Sequence, residues 1–209
     1  MTDLSPQAEE WERRYQTRSQ LWSGRPQPTL VEVAESLPPG RSVDLGTGEG
    51  ADVLWLAEHG WEALGLDLSP TAIARARDEA ERRGQERAQF RVGDFLTDPE
   101  LVPGSYDLVT AFFIHPRTAA GRQQFLARAT SLVAPGGHLL VVSHAREVKG
   151  TNPGIGHGPS PVDPAEDERL LRSQSSFRPI RVGVEAGLFL RADGTRETRA
   201  DAVVFGRID

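Results

Sequence analysis

The chain has 209 residues, with 24 Lys+Arg against 30 Asp+Glu and a formal net charge of −6, a size that suits one domain with one full core. An acidic balance disfavours a protein that lives by neutralising phosphates, and the longest apolar run, residues 109–114, is far too short to cross a bilayer. There is no cysteine, which removes disulfides, thiolate metal sites and thiol nucleophiles, and the only lysine, Lys149, stands in the wrong order for a phosphate-binding loop. Residues 1–6 carry neither a cationic start nor an apolar stretch, so the expected location is cytoplasmic, with no membrane partner.

Ser5-Pro6 reads as an N-cap followed by Pro at the first helical position, opening a polar helix over 6–18 with Trp11 and Tyr15 one turn apart. Turn formers fill 22–28, and a short amphipathic helix over 29–37 runs into Pro38-Pro39-Gly40. From Arg41 strand and helix alternate. Strands are predicted at 42–45, 62–66, 89–92, 106–113 and 138–143. Helices are predicted at 51–59, stopped by Gly60, from the Ser69-Pro70 cap to Gly84, and at 118–133, ending at Pro135-Gly136-Gly137. That rhythm predicts a Rossmann-like, doubly wound α/β fold with a mostly parallel sheet. Residues 145–165, rich in Gly and Pro, form a loop of unusual length. A helix at 167–173 and two strands at 180–190 and 201–208, joined around Asp193-Gly194, complete the chain.

The strongest local signal is Asp44-Leu45-Gly46-Thr47-Gly48-Glu49-Gly50 at the end of the first strand. Its glycines permit a sharp turn and close approach of a ligand, but glycines alone also suit a dinucleotide. Asp44 shifts the balance, because a carboxylate at the strand tip repels a pyrophosphate and attracts an ammonium or sulfonium. Asp67 ends the second strand, where an acid accepts both hydroxyls of a ribose. Asp94-Phe95 follows the third, where an acid can accept from an exocyclic amine of adenine. Three carboxylates at three successive strand tips describe a site for a nucleoside with a cationic, phosphate-free tail.

On these motifs the chain resembles the class I S-adenosylmethionine-dependent methyltransferases over nearly its whole length. Tyr106-Asp107-Leu108-Val109 and Leu132-Val133-Ala134-Pro135-Gly136-Gly137 match that family's fourth strand and the entry to its fifth. The spacing of Trp11, Tyr15, Trp22, Gly24 and Pro26 before the glycine loop is similar to the thiopurine and tellurite-resistance type of small-molecule enzyme. The resemblance implies a seven-stranded sheet with an antiparallel C-terminal strand, in an α-β-α sandwich. It implies S-adenosylmethionine as cofactor and S-adenosylhomocysteine as product. Cofactor contacts are then expected from Tyr15, Trp22, Asp44, Gly46, Thr47, Gly48, Asp67, Leu68, Asp94, Phe95 and Phe112, with no metal. Within a single domain, residues 1–38 are expected as a helical lid over the cofactor, 39–145 as its core, 146–165 as a mobile loop, and 166–209 as a C-terminal helix and hairpin.

Methyl transfer asks few catalytic groups of a protein, since the methyl arrives activated and the main need is alignment. His115, in Phe113-Ile114-His115-Pro116 just past the fourth strand, is the candidate base for an acceptor that arrives protonated, and a rate rising with pH across its titration is expected. His144, at the tip of the fifth strand, is a second histidine for the same cavity. Phe113-Ile114-His115-Pro116 does not match the Asn/Asp-Pro-Pro-aromatic tetrad of amino-methylating DNA enzymes, so a small-molecule acceptor is expected rather than nucleic acid. A non-catalytic S-adenosylmethionine-binding protein is the alternative. A nicotinamide-dependent reductase is a third reading, disfavoured by Asp44. The acceptor atom and the oligomeric state are not readable from the sequence.

Overall fold

The computed structural model describes residues 5–102, 104–145, 162–190 and 194–209. Seven strands form one sheet in the order β3-β2-β1-β4-β5-β7-β6. The described residues fall into two compact units, one of residues 5–102 with 194 and 195, the other of 104–145, 162–190 and 196–209.

The first unit contains α1 (Pro6–Gln16), α2 (Pro28–Ala34), β1 (Arg41–Leu45), α3 (Ala51–Glu58), β2 (Glu62–Asp67), α4 (Pro70–Arg83) and β3 (Ala88–Val92). β1 pairs parallel with β2, and β2 with β3, in unbroken register. Two helix starts follow the expected chemistry: Ser5 and Ser69 accept from the N–H groups of Ala8 and Ala72, and Pro6 and Pro70 open α1 and α4. Gly84, in the left-handed region at φ +64°, closes α4. Val43, Leu45, Leu54, Leu56, Leu66 and Ile73 are fully buried, each such side chain contributing about 1.5–3 kcal/mol of burial.

The second unit contains β4 (Tyr106–Phe112), α5 (Ala119–Ser131), β5 (Val133–His144), α6 (Pro164–Gln174), β6 (Phe177–Leu190) and β7 (Arg196–Ile208). β4 and β5 are parallel; β7 runs antiparallel to β5 on one side and to β6 on the other, as the expected hairpin requires. Its core joins Leu108, Val109 and Ala111 of β4, Leu139 to Val142 of β5, and Phe125, Leu126 and Ala129 of α5.

Several boundaries differ from expectation. The helix over 118–133 ends earlier, at Ser131, and the fifth strand begins at Val133 rather than His138. Pro135-Gly136-Gly137 is therefore an irregularity inside β5, where pairing slips between Tyr106↔Val133 and Leu108↔His138. Glycine is required there, since a Cβ on Gly137 would lie 2.9 Å from the Tyr106 carbonyl oxygen. β4 stops at Phe112 because Phe113 turns into the left-handed region at φ 58°. β6 starts at Phe177, three residues early, and accommodates Pro179 because it is an edge strand with a register shift at that point. The expected loop at 146–165 lies outside the described residues up to position 161; Val162 bridges Ala145 and α6 already starts at Pro164. Among the described residues no helix is long and apolar enough to cross a membrane.

Candidate functional site

In the first unit the chain after β1 must reverse within a few residues to enter α3. Gly46, Gly48 and Gly50 achieve this at φ 74°, 57° and 82°, conformations that side chains disfavour. Three of the loop's N–H groups are taken up by the protein. Thr47 N–H donates to the Leu66 carbonyl at 2.8 Å, Gly48 N–H to Asp67 Oδ2 at 2.9 Å, and Gly50 N–H to the Thr47 carbonyl at 3.0 Å. A pyrophosphate needs such groups free; here they fix the loop against the end of β2 instead. Thr47 packs toward β2, where a Cβ on Gly65 would meet its Oγ1 at 2.9 Å and Cγ2 at 2.8 Å, and its hydroxyl is buried without a partner.

Asp67 is held from both sides, Oδ2 by Gly48 and Oδ1 by the Ser69 N–H at 2.9 Å, with the Leu68 N–H also donating. Burial pushes its pKa up to about 6; the N–H donors oppose that rise and the Glu12 charge adds to it. A carboxylate offers about four acceptor sites, so after these three bonds Asp67 can still accept from a ribose hydroxyl. Asp44 is buried in β1, and its charge, after burial, is the second reason that Asp52 in the first turn of α3 is raised well above the usual carboxylate range. Asp52 accepts from the Gln27 N–H at 2.6 Å. Asp94 uses Oδ1 to accept from the Leu96 N–H at 2.9 Å, a local turn, and Phe95 beside it is buried.

The N-terminal segment packs onto this same loop. The Tyr15 hydroxyl is close enough to Gly48 that a Cβ there would sit 2.8 Å from it, and Trp22 Nε1 donates to that hydroxyl at 2.9 Å. Burial and the Asp67 charge raise the Tyr15 pKa, so the phenol stays protonated with its own proton available to donate. Trp22 is 38% exposed, and the Trp11 ring tilts against Tyr15. A set of charged contacts that periodicity could not reveal ties the segment down. Glu12 accepts from the Ser69 and Thr71 hydroxyls, each at 2.5 Å, and from the Thr71 N–H at 3.1 Å. Glu49 of the loop accepts from the N–H groups of Leu21 and Trp22. Arg75 binds Glu49 at 2.8 Å and donates to the carbonyls of Tyr15 and Arg18.

Phe112 and His115 lie in the second unit. Phe112 closes β4, half-buried; His115 follows the turn made by Phe113. The His115 and His144 rings are stacked 5.1 Å apart at 7°, and Phe113 stacks on the other histidine at 4.8 Å. His115 Nε2 is buried without a hydrogen-bond partner. Burial, then the charges of His144 and Arg122, lower its pKa to about 4. The ring is therefore neutral at physiological pH, and the expected rise of rate with pH moves to the acid side. Beside this stack lies the buried ion pair of Arg122 and Asp167, which the sequence analysis did not single out. Among the described residues no group of three or more potential ligands could hold a metal ion.

An open sheet of this order, with a glycine turn after β1 and an acid ending β2, defines a Rossmann-like α/β protein that binds a nucleoside-bearing ligand. A methyltransferase domain model matches residues 43–137. The 2-heptyl-1-hydroxyquinolin-4(1H)-one methyltransferase of Mycobacteroides abscessus is 35% identical over 84% of this chain and 76% of its own length. The demethylmenaquinone methyltransferase of Thermus thermophilus is 37% identical over 57% of this chain, which spans 54% of that protein. In fold the chain is similar to the solved structure that describes conversion of a disulfide bond into a thioacetal group during echinomycin biosynthesis. That likeness has a TM-score of 0.77 and 23% identity, covering 97% of this chain and 93% of the other. The chain belongs to the class I S-adenosylmethionine-dependent methyltransferase family.

Proposed function

We propose that this methyltransferase holds S-adenosylmethionine on the first unit and methylates the hydroxyl of a small aromatic acceptor. The observation that carries the cofactor half is the bond from Gly48 N–H to Asp67. It spends a loop donor on a carboxylate and leaves a site rich in acceptors, which suits the hydroxyl donors of a ribose and a cation rather than a pyrophosphate. On this reading Asp67, backed by Leu68, accepts from a ribose hydroxyl, and Asp94 with Phe95 receives the adenine. Gly46, Thr47 and Gly48 give the close backbone approach, and Asp44 attracts the cationic tail. Tyr15 and Trp22 cover the loop, and the partly exposed Trp22 suits a sulfonium, an attraction worth ~0.5–2 kcal/mol. That arrangement supports the lid role of residues 1–38 and the thiopurine and tellurite-resistance type as the narrower relationship.

When bound, S-adenosylmethionine supplies a methyl group already activated by its sulfonium. The chain's own task is to align the acceptor and to receive its proton. A neutral His115 takes the acceptor's proton at Nε2, which is buried and unpartnered and must open to the acceptor to do so. A base with a pKa near 4 is weak against a resting hydroxyl. It suffices once the new O–C bond forms, because that bond makes the departing proton strongly acidic. The hydroxyquinolone named for the Mycobacteroides relative supports a hydroxylated heteroaromatic as acceptor.

The test is release of S-adenosylhomocysteine over a panel of hydroxylated heteroaromatics, phenols, thiols, carboxylates and tellurite, repeated with His115→Gln. Turnover of hydroxy-aromatics, lost in the variant at neutral pH, is the expected result. Turnover of thiols or tellurite alone would contradict the acceptor, and binding of S-adenosylmethionine without any turnover would favour the non-catalytic alternative.

A further inference from the structure

Arg122 lies one turn into α5 and is almost wholly buried, with 9% of its surface exposed. Its fixed fork of donors is spent on three different parts of the second unit. Nε donates to Asp167 Oδ1 at 3.1 Å, and Nη2 donates to the other oxygen of the same carboxylate. Nη2 also donates to the Ser143 hydroxyl at 3.0 Å, and Nη1 to the Ile114 carbonyl at 3.0 Å. Ile114 is the residue before His115, and Ser143 is the residue before His144. One guanidinium thus grips the chain immediately ahead of each ring of the stack, and the carboxylate on α6 fixes the guanidinium.

We propose that Arg122, set by Asp167, is the positioning residue that holds His115 and His144 face to face for the acceptor. The proposal rests on the reading of His115 as the acceptor's proton partner, and adds what keeps it there. A buried ion pair is on average no better for stability than apolar residues of the same volume, so stability alone does not account for this one. A planar fork does what a point charge cannot, since it binds several acceptors in fixed directions at once. Phe113 needs such an anchor, because a non-glycine residue in the left-handed region persists only where its surroundings over-determine it. The charged and titratable groups facing His115 are His144 of β5 and Arg122 of α5, with Asp167 of α6 behind the guanidinium.

The experiment compares Arg122→Lys, Ser143→Ala and His115→Gln with the wild type by NMR of the histidine ring signals, alongside kcat and KM. Arg122→Lys keeps the charge and loses the fork. It should shift the ring signals of both histidines, as the stack opens, and lower kcat roughly 10- to 100-fold while KM for the cofactor holds, in line with the cost of misplacing a reacting group. Ser143→Ala releases only one grip and should move the His144 signals more than those of His115. That second variant keeps the test decisive if Arg122→Lys fails to fold. Ring signals unmoved in Ser143→Ala, or unmoved in a folded Arg122→Lys, would overturn the proposal. If the rings move but neither Arg122→Lys nor His115→Gln changes kcat, positioning stands and the acceptor role of His115 falls.

Discussion

Around Asp67 in the first unit a buried carboxylate is met by backbone N–H groups, whereas around Asp167 in the second it is met by a guanidinium. The first arrangement leaves negative charge in place. Asp44, Asp52 and Asp67 crowd the glycine loop, and burial or a neighbour's charge raises two of them; the nearby cation, Arg75, is paired with Glu49. The second arrangement cancels its charge internally and sets two stacked imidazoles beside the pair, with His115 held neutral. The contrast teaches which partner each region suits. On the proposed reading the acidic site gains from a cation, while the neutral, partly buried one suits an uncharged acceptor, with no desolvated charge to oppose it.

The largest expected effect comes from breaking the compensated pair. Arg122→Met leaves Asp167 buried and alone, and should cost about 3–5 kcal/mol in denaturant unfolding. Asp167→Ser with Arg122→Met together should recover much of that loss; equal losses in the single and double variants would mean that the charges do not act as a pair. Gly48→Ala comes next. It places a Cβ 2.8 Å from the Tyr15 hydroxyl in a residue at φ +57°. Left-handed backbone alone costs an ordinary residue roughly 1–2 kcal/mol. Affinity for S-adenosylhomocysteine should fall about tenfold or more by calorimetry, and an unaltered Kd would remove the N-terminal segment from the cofactor site. Arg75→Ala should act more gently, since its pair with Glu49 is partly exposed. Faster release of S-adenosylhomocysteine, by an amount equivalent to about 1 kcal/mol, is expected in stopped-flow Trp fluorescence.

Proton linkage sharpens the comparison further. Asp67 has a folded-state pKa raised to about 6, so it is protonated below that value and then loses part of its capacity to accept hydroxyls. Cofactor affinity should therefore be level above pH 7 and decline as pH falls through 6, a decline that Asp67→Asn abolishes. The His115 titration near pH 4 lies lower still, so the turnover of a saturated enzyme should be nearly flat between pH 6 and 8. A rate climbing across pH 6–7 at saturating cofactor would place the working base elsewhere.

The first unit was largely legible in the sequence because its determinants are local. Ser5, Ser69 and Gly84 announce their helix ends within a few residues. The Asp67 side chain reaches the Ser69 N–H two positions on and Gly48 of the glycine loop 19 positions back, both within the two motifs that the sequence showed. Asp44 was placed correctly at its strand tip, but Asp52, which faces it, carries no signal of its own beside the glycines. The contacts of Glu12, Glu49 and Arg75 were not legible, since their partners lie 26 to 60 positions away. Arg122 was hidden for the same reason: Asp167 is 45 positions distant and no spacing rule links them. Pro135-Gly136-Gly137 misled because a proline and two glycines read as a turn, whereas a parallel partner strand can absorb them as an irregularity within β5.

Calorimetric titration of the wild type and Asp67→Ala with S-adenosylhomocysteine and with NAD tests most directly whether Asp67 and its neighbours form an acidic nucleoside site. The wild type should bind S-adenosylhomocysteine and not NAD. The variant should lose a charge-assisted hydrogen bond to the ribose, worth about 1.5–3 kcal/mol, and with it most of its affinity. Equal affinity of wild type and variant, or binding of NAD by the wild type, would contradict it.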